Sequence, residues 1–323
     1  MIRLVTLIKI LLTEGGNVFG TTSSIKREYI EPTLREFVRE LSNIFKNKAK
    51  TFNSFEKLGS AGKKDLSGDI DLSYNVDNLV ERGQPDLNGW GLDPTQFKTT
   101  YDSIRKRART ATEAQSTVRA MLILIAEKIN KDSTILQADP KSAGSNSIFL
   151  TSRQYNEKGE ALPETVQIDI NVGNPEWLRF SYYSNAYKGA VKGLHRTQLV
   201  LALFTAKGKM FKHERGVLDK ETREVEANTP QEAIDLLNNI YNFKTPINQA
   251  ILNDYFKLSD FLKQNTTPQE FDNIMSIYLK ILDTTGPYAD IPEDLQPYWL
   301  ENREKLNLTG KRLPDNSNLK KYV

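Results

Sequence analysis

The stretch that decides the fold lies at residues 58–74 and reads LGSAGKKDLSGDIDLSY. A Gly-Ser turn near its start precedes an Asp-Ile-Asp run. Side chains alternate between the two faces of a β-strand, so Asp69 and Asp71 share one face while the apolar residues beside them face a core. Two carboxylates held side by side repel each other unless a cation lies between them. Mg²⁺ fits such a pair, because it prefers hard oxygen ligands and is usually held by one or two carboxylates together with substrate phosphates.

The turn at Gly59 and Ser60 offers ligands for those phosphates. Its backbone N–H groups and its hydroxyl can bind phosphate oxygens, and glycine lets the backbone approach closely. Together the turn and the two acids predict a metal-dependent site for a nucleoside triphosphate.

The stretch resembles the signature of the DNA polymerase β-like nucleotidyltransferase superfamily. That signature is a Gly-Ser after an apolar strand, a short spacer, and then Asp-x-Asp flanked by apolar residues. The Gly-Lys-Lys spacer and the sequence YKGAVKGLHR at residues 187–196 resemble the uncharacterised nucleotidyltransferases found in tailed-phage genomes. The match covers residues 10–75 and 165–205.

The resemblance implies a third carboxylate on a later strand that neighbours the first. The best candidate is Asp169, which lies in the β-branched run TVQIDIN at residues 165–171. Asp139 is a rival, but Pro140 follows it and favours a turn at that position.

The resemblance also implies the roles of the site residues. Asp69, Asp71 and Asp169 would be the catalytic residues and would hold Mg²⁺ or Mn²⁺. The nucleotide, ATP among the possibilities, would be bound by Gly59, Ser60, Lys63, Lys64, Lys192, His195 and Arg196. The reaction would be an in-line attack on the α-phosphate with release of pyrophosphate.

The fold class predicted is α+β, with a small mixed or antiparallel sheet flanked by helices, as the polymerase β-like nucleotidyltransferase fold requires. Residues 1–228 would form the catalytic domain, with a helical insertion at about residues 95–131. Residues 229–323 would form a helical C-terminal domain with a loose tail. Thr229 and Pro230 mark its first helix, since threonine is a good N-cap and proline suits the first helical position.

Hydrophobic periodicity predicts the individual elements. Helices are predicted at residues 1–12, 33–45 (beginning at Pro32), 97–109 and 113–130, and from residue 188 or 193 to 206. Strands are predicted at 51–58 and 69–74. Two hairpins are predicted, one from strands 147–155 and 164–171 and one at 216–225.

Composition narrows the classes of function. The 323 residues contain no cysteine and two histidines, which excludes disulfides, thiolate catalysis and histidine-rich metal sites. The apolar stretch at residues 1–12 is far too short to cross a bilayer, so we expect no membrane partner. A cysteine-free chain suits a reducing cytoplasm, which would be the host cytoplasm if the gene belongs to a phage.

The net charge is only +3, but Lys and Arg cluster at residues 46–64, 105–109 and 188–215. Such clusters near one acidic site favour a polyanionic partner. The leading hypothesis is therefore template-independent addition of a nucleotide to an RNA or DNA end. Two alternatives remain open: nucleotidylation of a protein or small molecule, and a catalytically quiet binding or virion-associated relative.

Overall fold

The computed structural model describes residues 18–81, 83–107, 111–184 and 194–285. The chain divides into two compact units, Met1–Arg179 and Phe180–Val323. The helix expected at residues 1–12 and the tail beyond residue 285 lie outside the described residues.

The first unit is built on a mixed β-sheet. Its strands in chain order are β1 (Ile25–Lys26), β2 (Glu56–Lys57), β3 (Leu66–Ser67), β4 (Asp69–Asn75), β5 (Val80–Glu81), β6 (Gln84–Pro85), β7 (Leu136–Ala138), β8 (Ser147–Tyr155) and β9 (Ala161–Gly173). Five of them form one sheet in the order β2-β4-β9-β8-β7. The pair β4 and β9 is parallel, and the other neighbours are antiparallel.

Helices flank this sheet. They are α1 (Arg27–Ile44), a 3₁₀ segment (Lys46–Ser54), a short 3₁₀ turn (Val76–Asn78), α2 (Leu87–Trp90), α3 (Pro94–Arg107), α4 (Glu113–Asp132) and α5 (Pro175–Ser181). The helix α4 begins with a capping box, in which Thr112 and Gln115 exchange side-chain and backbone hydrogen bonds. Such a box satisfies two N–H groups that a helix start leaves without partners.

One face of the sheet forms the core of the first unit. Ile70 and Leu72 of β4 and Ile168 of β9 are at most 1% exposed, and they belong to one cluster with Phe37 of α1 and Leu122 of α4. The predicted alternation on β4 is therefore confirmed. Since successive side chains alternate, the acids of β4 lie on the opposite face.

Two sequence predictions in this unit are wrong. The helix α1 begins at Arg27, so Pro32 lies inside it. Pairing of Ile25 with Ser67 fixes the chain just before the helix. Hydrophobic periodicity does not reveal such a contact between distant residues, so it did not predict the earlier start. The strand expected at residues 51–58 is reduced to Glu56–Lys57.

The residues before this short strand form the 3₁₀ segment instead, for a packing reason. A 3₁₀ helix places side chains three positions apart on one side. Phe52, within the segment, and Phe55, at its end, use this spacing to stack at 5.7 Å between ring centroids. Tyr74 stacks on Phe52 at 6.1 Å, so the aromatic cluster anchors the segment against β4.

The second unit combines helices with a small antiparallel sheet. Its elements are α6 (Leu194–Thr205), β10 (Lys209–Lys212), β11 (Gly216–Asp219), β12 (Val225–Ala227), α7 (Pro230–Tyr241), α8 (Gln249–Leu252), α9 (Tyr255–Asn265) and α10 (Pro268–Thr285). The hairpin expected at residues 216–225 corresponds to β11 and β12, and β10 adds a third strand. The helix α6 packs against α9 and α10.

The α+β class with a small mixed sheet flanked by helices is confirmed, and it is consistent with the fold that the resemblance implies. The compact units divide at Arg179, whereas the predicted domain boundary lies at residue 228. Packing of α6 on α9 and α10 explains the earlier division. The assignment of functional domains stays a prediction. Within the part of the chain that the structure describes, no helix is both long and apolar enough to cross a membrane.

Candidate active site

The three predicted carboxylates lie on neighbouring strands. Asp69 and Asp71 occupy β4, and Asp169 occupies β9. In the parallel pairing of these strands Asp71 is opposite Asp169, and Asp69 is opposite Gln167. All three acids therefore share the face of the sheet opposite the apolar core. The hairpin of β8 and β9 that carries Asp169 is the predicted one.

Two of these carboxyl groups are held in an environment that opposes their ionisation. Burial, and then the charge of Asp69, raise the pKa of Asp71 to about 7. Burial, and then the charges of Asp71 and Asp69, raise the pKa of Asp169 to about 8. The nearby charges that raise both pKa values are carboxylates. A cation placed among them would offset both their repulsion and the cost of burying a charged carboxylate, and it would therefore lower both pKa values.

Two amide side chains donate hydrogen bonds to these carboxylates, and the sequence analysis did not predict either of them. Nε2 of Gln167 donates a hydrogen bond to Oδ1 of Asp169 at 2.8 Å. Nδ2 of Asn171 donates to Oδ1 of Asp71 at 3.3 Å. A signal was present in the sequence, because Gln167 and Asn171 lie two positions to either side of Asp169 and so share its face.

The Gly-Ser turn lies directly against the acids. The backbone N–H of Leu58 donates to the carbonyl of Asp71 at 2.8 Å. Gly59 has a φ of +60°, and a Cβ built on it would lie 3.4 Å from Oδ2 of Asp71. The left-handed conformation favours glycine here, and an added Cβ would be in van der Waals contact with the Asp71 carboxylate. The carbonyl of Ser60 accepts from the N–H of Lys63 at 3.0 Å, which closes the turn.

The lysines after the turn are exposed, and an arginine holds their backbone. Partial burial of the Lys63 side chain lowers the pKa of its amino group. Arg27, at the start of α1, donates to the carbonyls of Lys63 and Lys64 at 3.1 and 3.2 Å and pairs with Asp65 at 2.9 Å. Arg27 was missed in the sequence because α1 was predicted to begin after it.

The remaining predicted nucleotide ligands lie elsewhere in the chain. Lys192 is outside the described residues. His195 and Arg196 are in the second unit, at 1% and 0% exposure. Nδ1 of His195 is 2.8 Å from the hydroxyl of Tyr278.

All three guanidinium nitrogens of Arg196 donate hydrogen bonds. They donate to the carbonyls of Leu252 and Phe180 at 2.5 and 2.7 Å and to Oδ1 of Asn253 at 3.0 Å. These contacts give Arg196 a structural role within the second unit. Nucleotide binding by His195 and Arg196 stays a prediction.

Asp139, the rival third acid, lies in a turn just after β7. Its Oδ1 accepts from the N–H of Lys141 at 3.0 Å, as the following proline predicts. Asp139 is not among the groups that shift the pKa of Asp169 or Asp71.

The donor chemistry of the acidic face fits a hard divalent cation, since its side chains are carboxylates and amides. Among the described residues, however, no three or more His, Asp or Glu side chains lie close enough together to hold a metal ion. The three carboxylates are near enough to raise one another's pKa, but they are too far apart to contact one metal ion together.

Comparison with known proteins leaves the family open. No family model matches the chain, and no curated protein matches it. Among solved structures, the chain is similar to a crystal structure of Leishmania infantum polymerase beta in a ternary P/T complex. The identity is 12% and the TM-score 0.34, with 70% of this chain and 79% of that chain covered. A likeness of this size carries no argument about function.

Proposed function

We propose that this chain is a metal-dependent nucleotidyltransferase, which moves a nucleoside monophosphate from a nucleoside triphosphate to an acceptor hydroxyl. One observation carries the proposal. Parallel pairing sets Asp71 opposite Asp169, and Gly59 lies against the Asp71 carboxylate. Acids on two neighbouring strands thus share one face of the sheet, and the glycine of the turn is in contact with one of them.

Mg²⁺ or Mn²⁺ would be held by Asp69, Asp71 and Asp169, and when bound it supplies positive charge to the reacting phosphate and lowers the pKa of the attacking hydroxyl. Each acid must be ionised to act as a ligand, so the raised pKa values of Asp71 and Asp169 couple cation binding to proton release. Once ionised, the carboxylates would be attracted to the cation, which would offset their mutual repulsion.

The Gly-Ser turn would hold the triphosphate. The hydroxyl of Ser60 and the backbone N–H groups of the turn are the donors for phosphate oxygens. The exposed Lys63 and Lys64 would add positive charge. Arg27 would act indirectly, because its hydrogen bonds to the carbonyls of both lysines fix the backbone of the loop.

The acceptor that we favour is the end of an RNA or DNA strand. The last turn of α3 carries Arg105, Lys106 and Arg107, and the 3₁₀ segment at residues 46–54 carries three further lysines. Of these, Lys46, Lys50, Lys106 and Arg107 are exposed, and exposed basic groups suit a phosphate backbone. Lys48 instead pairs with Asp86 at 2.5 Å, and Arg105 donates to the carbonyl of Ala111 at 2.6 Å. A protein acceptor would be recognised as a different outcome of the same experiment.

The test is incubation with each α-³²P-labelled nucleoside triphosphate and Mg²⁺ or Mn²⁺, offering RNA, single-stranded DNA and protein as separate acceptors. We expect label in the nucleic acid, lost in Asp69→Ala/Asp71→Ala and retained in Asp139→Ala, whose acid lies in the turn after β7. Label that persists in the double variant would refute the proposed site. Label in protein alone would refute the acceptor and keep the chemistry.

A further inference from the structure

The buried side chain of Gln167 connects Asp169 to the segment at residues 18–24. Gln167 is 0% exposed. Its Nε2 donates to Oδ1 of Asp169 at 2.8 Å, while its Oε1 accepts from the backbone N–H of Val18 at 2.8 Å. The amide has one donor end and one acceptor end, and each has a fixed partner. Its orientation is therefore determined by the two contacts together.

The segment that supplies Val18 is itself tied to β9. The N–H of Ser23 donates to the carbonyl of Thr165 at 2.8 Å. Nε2 of Gln154 on β8 donates to the carbonyls of Ser23 and Ser24 at 3.4 and 3.2 Å. Residues 18–24 are thus held along the strand that carries Asp169, and Gln167 is the link from this segment to the carboxylate.

A carboxylate with one oxygen held by a fixed donor cannot rotate freely about its Cβ–Cγ bond. Gln167 holds Oδ1 of Asp169 in this way, and Asn171 does the same for Asp71. The second oxygen of Asp71 is the one that lies against Gly59. Side chains that orient metal ligands through such hydrogen bonds commonly change metal affinity when they are replaced.

We infer that Gln167 is a positioning residue for the cation site, which fixes the Asp169 carboxylate through the hydrogen bond from its amide. This inference rests on the proposed function, because it presupposes that Asp169 is a metal ligand. Beyond the proposed function, it assigns a role to a neutral residue that is not itself a metal ligand.

The experiment is calorimetric titration of the full chain with Mn²⁺. Gln167→Leu removes both amide contacts, and Gln167→Met does so with an unbranched side chain, in case the leucine variant does not fold. Gln154→Met is the matched control: it is also a buried glutamine, at 4% exposure, and it holds the same segment by donating to backbone carbonyls. Circular dichroism and the unfolding midpoint report folding independently of the metal.

We expect either Gln167 variant to bind Mn²⁺ about 10- to 100-fold more weakly than the parent, and Gln154→Met to bind it as the parent does, even where both lose stability. Equal affinity in a folded Gln167 variant and in the parent would overturn the inference and leave the proposed function intact. A similar loss in Gln154→Met would also overturn it, since the effect would then come from the segment alone. A parent that binds no Mn²⁺ would overturn both proposals.

Discussion

Gly59 has a backbone conformation and a close contact that can be tested separately. Its φ is +60° and a Cβ would lie 3.4 Å from Asp71 Oδ2, whereas Gly159 has a φ of +79° and nothing within 4 Å. Alanine at either position should cost about 1–2 kcal/mol of unfolding free energy, because L-residues are strained there. Only Gly59→Ala should also weaken Mn²⁺ and nucleotide binding.

Urea denaturation of the two variants measures the free energy of unfolding, and Mn²⁺ titration measures the affinity for the cation. Weakened cation binding in Gly159→Ala, or unchanged binding in Gly59→Ala, would contradict the placement of Gly59 at the site.

The raised pKa values of Asp71 and Asp169 predict how the stability of the metal-free protein depends on pH. Their folded pKa values are about 7 and about 8, well above the ordinary aspartate pKa of 3.8 that the unfolded chain retains. Between the unfolded and folded pKa, the folded state binds protons that the unfolded state has released, so the free energy of unfolding falls as the pH rises. That loss is complete above the folded pKa.

We therefore expect the urea midpoint of the metal-free protein to be lower at about pH 8.5 than at about pH 5.5. Asp169→Asn should flatten this dependence, because the amide does not titrate, and saturating Mg²⁺ should flatten it as well. A midpoint that rises with pH in the metal-free parent, or an equal slope in Asp169→Asn, would show that these acids are not buried as described.

At this scale the sequence predicts more about the acids than about their neighbours. Strand alternation and the apolar flanks are local, so the shared face of Asp69 and Asp71 could be predicted. The amides of Gln167 and Asn171 were missed because no motif includes them. Arg27 was missed because α1 was predicted to begin after it and because its partners lie in a loop 36 and 37 positions away.

Among the elements, α7 is the one whose start is clearest in the sequence. Thr229 accepts from the N–H of Glu232, Glu232 reaches back to the N-cap backbone, and Pro230 occupies the first turn. This confirms the predicted helix start. Thr229→Ala should lower the unfolding free energy by about 1 kcal/mol, and Thr229→Ser should lower it much less, because serine retains the capping oxygen.

Thermal unfolding monitored by circular dichroism would measure both variants. An alanine variant as stable as the parent would mean that the capping box contributes nothing to α7. Neither variant should change Mn²⁺ affinity, because Thr229 belongs to the second unit and the acids of β4 and β9 belong to the first.

The elements that could not be predicted depend on contacts between distant residues. Residues 51–54, the end of the 3₁₀ segment, are predicted as the start of a strand, because their sequence alone does not reveal that Phe52 stacks on Tyr74 of β4. The parallel pairing of β4 and β9 joins residues 98 positions apart, Asp71 and Asp169. The third acid could therefore be proposed by resemblance and not by any local pattern.

At the scale of the whole molecule, the sequence predicts the α+β class and a change of character towards the C-terminus. It places that change at residue 228, while the compact units divide at Arg179. The apolar pattern of α6 is visible in the sequence, but the helices against which it packs are not. The same holds for His195 and Arg196. The resemblance implies that the helix after the third acid contacts the triphosphate, and only the packing shows both side chains buried.

The central claim is that the acids of β4 and β9 together bind a divalent cation for nucleotide transfer. Mn²⁺ binding followed by electron paramagnetic resonance, with and without a non-hydrolysable nucleoside triphosphate analogue, tests it most directly. We predict that the parent binds Mn²⁺ more tightly with the analogue, and that Asp71→Asn and Asp169→Asn each abolish this coupled binding while remaining folded. Coupled binding that survives both substitutions, or a folded parent that binds no Mn²⁺ in either condition, would contradict the account.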